Sequence, residues 1–150
     1  LQAARVLPVR DREETWQRQL KLGVVPPGTK LTPRPPEIPA YDSLPPERRR
    51  IAARLMEAFA AFTAQTDYEV GRVLDALEQT GQLSNTLVVF MVGDNGASLE
   101  GTPFGLFNEY ATVTGKPDDA ARGLEHLDES GGPKAYSIFP GGWGWTMNAP

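Results

Sequence analysis

The sequence predicts an α/β fold, and two neighbouring features carry that prediction. A run with helical periodicity covers residues 47–81, and a continuously apolar stretch at 86–92 follows it after a short turn. A helix that leads directly into a strand with two apolar faces is half of a βαβ unit. We therefore expect part of a mostly parallel sheet flanked by helices.

The first region, residues 1–46, is rich in proline. It holds 9 of the 14 prolines. Proline fixes φ and removes a hydrogen-bond donor, so this region should be mostly extended and should wrap around the body of the protein. Within it, Asp11 and Glu14 have the spacing of an N-terminal cap, and Gly23 suits a helix stop. The pattern predicts a short helix over residues 12–22.

The second region contains the strongest helix signal in the chain. Ser43 before Pro45 suits its beginning and Gly81 suits the position after its end. At 1.5 Å per residue the helix would be about 50 Å long. Its apolar residues recur at steps of three and four, which is typical of a helix with one buried face: Ile51, Leu55, Phe59, Phe62, Val70, Val73, Leu74 and Leu77.

The apolar stretch and the region after it differ sharply in composition. Residues 86–92 are apolar after the first and mostly β-branched or aromatic, without alternation, which predicts a strand buried on both faces. Residues 93–150 hold 11 of the 15 glycines and 7 of the 13 aromatic residues but show no sustained period. A long excursion of this composition is typical of a functional loop rather than of disorder.

A candidate metal site lies at the end of the predicted strand, in Gly93-Asp94-Asn95-Gly96. Ligands of open α/β sheets bind at the carboxyl ends of the strands. Asp94 and Asn95 offer the hard oxygen atoms that Ca²⁺ or Mg²⁺ requires, and the flanking glycines allow a sharp turn. The alternative is a simple Asn-Gly hairpin turn. Residues 97–101 do not supply the second strand that a hairpin needs.

The segment DYEVGRVLDALEQTGQLSNTLVVFMVGDNGASLEG resembles the stretch of sulfatases in which a long helix leads into a strand and a metal-binding Asp-Asn pair. The later Gly-Pro and Trp-rich portion, which ends in Asn148-Ala149-Pro150, resembles the segment before an active-site lysine in bacterial arylsulfatases. The resemblance implies an alkaline-phosphatase-like fold. It also implies that Asp94 and Asn95 are two of the protein ligands of one calcium ion, with magnesium as the other possible metal.

Sulfatases hydrolyse sulfate monoesters with a formylglycine made from the first residue of a Cys/Ser-x-Pro-x-Arg motif. The chain has no cysteine, and its nearest serine match, Ser43-Leu44-Pro45-Pro46-Glu47, lacks the arginine and is better explained as a helix start. We therefore assign no catalytic residue here. The resemblance implies that residues 1–150 are an internal part of one sulfatase catalytic domain, inactive alone and doubtful as an independent folding unit, with the nucleophile elsewhere.

Two other functions stay open on the sequence. One is a phosphomonoester, phosphodiester or phosphonate hydrolase of the same superfamily, and the other is a non-catalytic module with the same fold. Formylglycine in the intact protein would separate the sulfatase from both. The net charge of −4 disfavours nucleic acid as a partner, and no apolar run approaches the roughly 20 residues of a membrane span. A small sulfate ester is the expected partner, while compartment and oligomeric state are not indicated.

Some remaining residues have both a chemical and a structural interpretation. The lone histidine, His126, lies in a charged stretch and is more often a surface side chain than a ligand in such a context. The aromatic residues after position 93 would either line a substrate pocket or pack the loop, and we favour packing, with Asn108 and Asn148 as the polar residues among them. That aromatic set is Phe104, Phe107, Tyr110, Tyr136, Phe139, Trp143 and Trp145.

Overall fold

The computed structural model describes residues 8–93, 95–98, 100–115 and 120–150, and over these ranges the chain is mainly helical. The α-helices are α1 (Pro8–Leu22), α2 (Pro46–Gln79), α3 (Tyr110–Thr114), α4 (Ala120–Glu125) and α5 (Gly141–Met147). One-turn 3-10 helices lie at Tyr41–Ser43, Leu83–Asn85 and Leu127–Glu129. Among the described helices, none is both long and apolar enough to cross a bilayer.

The helix that the sequence predicts over residues 12–22 is present as α1 and begins earlier, at Pro8. It ends where predicted, because Gly23 adopts a left-handed φ of +70° that few other residues tolerate. The Gly23 and Val24 amides then donate to the carbonyl oxygens of Leu20 and Gln19, at 3.2 and 2.9 Å. This double hydrogen bond is the Schellman form of helix termination.

The long helix is also confirmed, as α2, but its N-cap is Pro45 and not Ser43, which lies in the 3-10 helix before it. Its end repeats the Schellman pattern: Gly81 has a φ of +69°, and the Gly81 and Gln82 amides each donate across 2.9 Å, to Glu78 and Leu77 respectively. The C-terminal ends of α1 and α2 are therefore both set by a glycine that is visible in the sequence.

The main core lies on the first half of α2. Ile51 and Leu55 are buried there together with Leu127, and Ala120 and Leu124 of α4 pack against them. Gly123 makes the close approach of α4 possible, since a Cβ atom at that position would lie 3.1 Å from Ile51 Cδ1. The glycine-rich region after residue 93 thus folds back over the beginning of the long helix.

The predicted parallel sheet is wrong. Across the described residues the chain forms no sheet, and its β-type pairing consists of isolated bridges from Leu106 to Ile138 and from Asn108 to Tyr136. The stretch 86–92 begins extended, with Thr86 at φ −119° and ψ 126°, but it is exposed throughout and not buried on both faces.

The physical reason is that a strand exists only where a second strand satisfies its amide and carbonyl groups. Local composition favours extended backbone and apolar contacts, but it supplies no partner. The described part of this chain contains no other segment that pairs with 86–92.

Candidate functional site

The predicted metal loop is described from Asn95 onwards, and Asp94 lies outside the described residues. Asn95 is exposed and lies in a turn, and Gly96 follows with a left-handed φ of +75°. The turn expected at Asn-Gly is therefore present, whereas the pairing of Asp94 with Asn95 around an ion stays a prediction.

A side chain from the far end of the sequence holds this loop. Asn148 Oδ1 accepts a hydrogen bond from the Ala97 amide at 2.7 Å, and Asn148 Nδ2 donates to the Ala97 carbonyl oxygen at 2.8 Å. Gly96 lies so close that a Cβ atom on it would overlap Asn148 Oδ1. The sequence marks Asn148 only as a polar residue in an aromatic region, and its contact with the loop comes from the fold.

Arg12 is a structurally important residue that sequence reasoning missed. It is 1% exposed, donates hydrogen bonds to Trp145 O and Thr32 Oγ1, and places its guanidinium 4.4 Å from the centre of the Trp145 ring. Its Nε atom is buried without a hydrogen-bond partner in the described chain. Burial lowers the pKa of the Arg12 guanidinium, because desolvation disfavours the charged form. A charge-rich helix gives no signal that one of its arginines is buried.

The aromatic residues after position 93 divide between buried and exposed positions, and Phe104, Tyr110 and Tyr136 are exposed. Phe107, Phe139 and Trp143 are buried, and the Phe139 ring meets Phe59 of α2 edge-on at 4.7 Å between centroids. A cavity beside Trp143 has a volume of about 30 Å³, well below the roughly 150 Å³ that holds a benzene ring. It is lined mainly by apolar atoms, among them those of Ile38, Tyr41, Leu44, Pro140, Trp143 and Trp145. The described residues therefore offer no aryl pocket at this place.

His126 also has a structural environment. Its ring stacks on Phe107 with centroids 5.5 Å apart, and its Nδ1 atom lies 3.5 Å from Glu129 Oε1. These contacts hold the turn after α4 against Phe107. In the described ranges no group of three or more His, Cys, Asp or Glu side chains is close enough to hold a metal ion.

The donor chemistry of the loop nevertheless fits a hard divalent cation. Asp94 and Asn95 bring one carboxylate and one neutral amide oxygen, which is the ligand mixture that Ca²⁺ and Mg²⁺ accept. The exposed Asn95 lies one residue before a glycine whose backbone allows the chain to turn back. Two ligands do not complete a calcium shell of 6–8 oxygens, so other groups must contribute.

The comparison with known proteins gives one consistent answer. The chain matches the Sulfatase family over residues 9–130. It is 38% identical over 89 residues to an uncharacterised sulfatase of Schizosaccharomyces pombe, across 57% of this chain and 16% of that protein. It is 40% identical over 58 residues to an arylsulfatase of Klebsiella aerogenes, across 39% of this chain and 12% of that protein.

The aligned stretches therefore span less than a fifth of either relative. The family match itself covers most of the 150 residues, including α1, α2, the Asn95 loop and α4. This chain belongs to the sulfatase family.

Proposed function

We propose that these residues are part of a sulfatase catalytic domain of the arylsulfatase type, which hydrolyses sulfate monoesters. The observation that carries the proposal is the family match over residues 9–130, which includes the Asp94-Asn95 loop. The similarity to a protein named arylsulfatase supports the finer assignment. A formylglycine nucleophile would be supplied by residues outside these 150, which contain no Cys/Ser-x-Pro-x-Arg motif.

The role of this chain would be to hold the metal ion. Asp94 and Asn95 would contribute oxygen ligands, with calcium preferred and magnesium as the other candidate. When bound, such an ion supplies positive charge that stabilises the sulfate oxygens as negative charge develops on them. Neither residue needs to transfer a proton. Asn148 clamps Ala97 through two hydrogen bonds. This clamp and the positive φ of Gly96 fix the backbone that follows the two ligands.

The test is the hydrolysis of 4-nitrophenyl sulfate by the full-length protein, with 4-nitrophenyl phosphate in parallel. Asp94→Ala should lower kcat/KM for the sulfate ester roughly 100-fold, as the loss of one electrostatic stabiliser commonly does. Asp75→Ala, which removes an exposed carboxylate from α2, is the matched control and should stay within about twofold.

Three outcomes would contradict the proposal. Faster turnover of the phosphate ester would favour a phosphate hydrolase of the same superfamily. Absence of turnover on both esters, together with an unmodified Cys or Ser in the mass spectrum, would favour a non-catalytic module. Equal activity of the Asp94→Ala and Asp75→Ala variants would remove Asp94 from the metal site.

A further inference from the structure

Helix α5 contacts both ends of the segment that follows the metal loop. At its beginning, the Gly141 amide donates to the Thr102 carbonyl oxygen at 2.8 Å. At its end, Asn148 forms two hydrogen bonds with Ala97. Thr102 and Ala97 are therefore each hydrogen-bonded to an end of α5.

The Asn148 contact is more specific than a single hydrogen bond. The side-chain amide pairs with the amide and the carbonyl of one residue, Ala97, as two peptide groups would pair in a sheet. Two parallel hydrogen bonds fix orientation as well as distance. Gly96 completes the fit, because any larger residue would carry a Cβ atom into the space of Asn148 Oδ1.

The element that carries Asn148 is itself anchored. Trp143 and Thr146 of α5 are buried, and Arg12 of α1 donates to the Trp145 carbonyl oxygen while stacking on the Trp145 ring. The backbone amide of Asn148 caps α5 by donating a 3.1 Å hydrogen bond to Gly144 O. The backbone of Asn148 is therefore held by α5, which packs against α1.

We propose that Asn148 is a positioning residue for cation binding by the Asp94-Asn95 loop. Ala97 lies two residues after Asn95, so the two hydrogen bonds from Asn148 restrict the backbone that follows Asn95 before the ion arrives. A ligand loop that is ordered in advance loses less conformational entropy on binding, and affinity rises accordingly. This inference rests on the proposed function, since it needs Asp94 and Asn95 to bind a cation.

The test is calcium affinity, measured on calcium-free full-length protein by competition with a chelator. Asn148→Ala should raise the Kd for calcium about tenfold, because two net hydrogen bonds of ordinary strength order the loop. Asn85→Ala, which removes an exposed asparagine from the turn after α2, should leave the Kd within about twofold. The thermal midpoint of calcium-free Asn148→Ala should stay close to that of the wild type.

Activity provides a second readout that a merely structural role would not move. With 4-nitrophenyl sulfate, the Asn148→Ala variant should need about tenfold more calcium for half-maximal activity and should regain wild-type kcat at saturating calcium. An unchanged calcium Kd, or a loss of activity that excess calcium does not restore, overturns the proposal.

Hydrogen exchange keeps the proposal testable if the variant does not fold. In calcium-free wild-type protein, the Ala97 amide should exchange at least about tenfold more slowly than an unstructured amide. Exchange at the unstructured rate would overturn the proposal. Asp94→Ala separates the two hypotheses. If Asp94→Ala binds calcium with the wild-type Kd, the proposed metal loop is wrong. If Asn148→Ala has the wild-type Kd while Asp94→Ala binds more weakly, only the positioning role is wrong.

Discussion

The two halves of α2 lie in different surroundings although they share one helical pattern. Its first half buries Ile51 and Leu55 beneath α4 and the 3-10 helix at Leu127–Glu129. In its second half Tyr68 and Val73 are each more than 60% exposed. An apolar stripe on a helix is therefore not enough for burial, because burial also requires another element that packs against the stripe.

The stretch 86–92 extends the comparison. Its apolar side chains, from Leu87 to Val92, are all half or more exposed, whereas the aperiodic region after residue 93 supplies most of the cover for the first half of α2. Regular apolar patterning therefore does not by itself determine which residues of this chain are buried.

The largest effect on stability is expected at Leu55, in the buried half of α2. Leu55→Ala should destabilise the full-length protein by about 2–5 kcal/mol, because it removes a buried side chain and leaves a cavity beside Gly105. Val73→Ala on the same helix should change stability by no more than about 0.5 kcal/mol. Thermal unfolding of the two variants measures the contrast, and equal destabilisation would break it.

A smaller effect is expected at Val89, on solubility and not on folding. Six consecutive exposed apolar residues form a surface that favours association between copies of the 150-residue polypeptide. Val89→Asp should reduce that association, because a charge interrupts the run. Val113→Asp replaces a single exposed valine of α3 and should have little effect.

The soluble fraction after expression, followed by size-exclusion chromatography, measures this difference. If Val89→Asp and Val113→Asp gave the same soluble fraction as the unaltered polypeptide, the exposed run would not be the cause of association.

The smallest effect concerns Tyr136, which forms an isolated bridge with Asn108. A side-chain hydrogen bond to Glu109, followed by the negative charge of Glu109, raises the pKa of Tyr136 above 10.0. The folded state therefore favours the protonated phenol. This contribution to stability is fully present below pH 10 and is lost as the pH rises through the raised pKa.

Ultraviolet titration of the full-length protein tests this assignment. The difference between wild type and Tyr136→Phe should show a phenol that ionises above pH 10, and Glu109→Gln should move its midpoint downwards. An unchanged midpoint in the Glu109→Gln variant would show that the carboxylate does not act on Tyr136.

Helices α1 and α2 could be predicted from the sequence because their signals are local, whereas α3 and α5 lie in the region that shows no sustained period. Gly23 and Gly81 adopt the left-handed φ that a Schellman end requires, and the proline at the start of α2 lies where its missing amide costs nothing. The sheet could not be predicted reliably, since a strand depends on a partner that no local pattern of residues 86–92 identifies.

In the candidate site, too, the local feature could be predicted from the sequence and the long-range contacts could not. The Asn-Gly turn is local, and Asn95 and Gly96 form it as expected. The clamp by Asn148 joins residues 51 positions apart, and the burial of Arg12 depends on Trp145, 133 positions away. No period or motif in the sequence signals contacts over such distances, so they become visible only in the folded chain.

The contact between Arg12 and Trp145 also has a consequence for the order in which the protein is made. At a typical synthesis rate of about 5–20 residues per second, roughly 7–27 s separate the appearance of these two residues. During that interval Arg12 has no ring to stack on and no Trp145 carbonyl to bind, and α5 does not yet exist. The contact of Asn148 with the loop that contains Asn95 is thus among the last parts of these 150 residues to form.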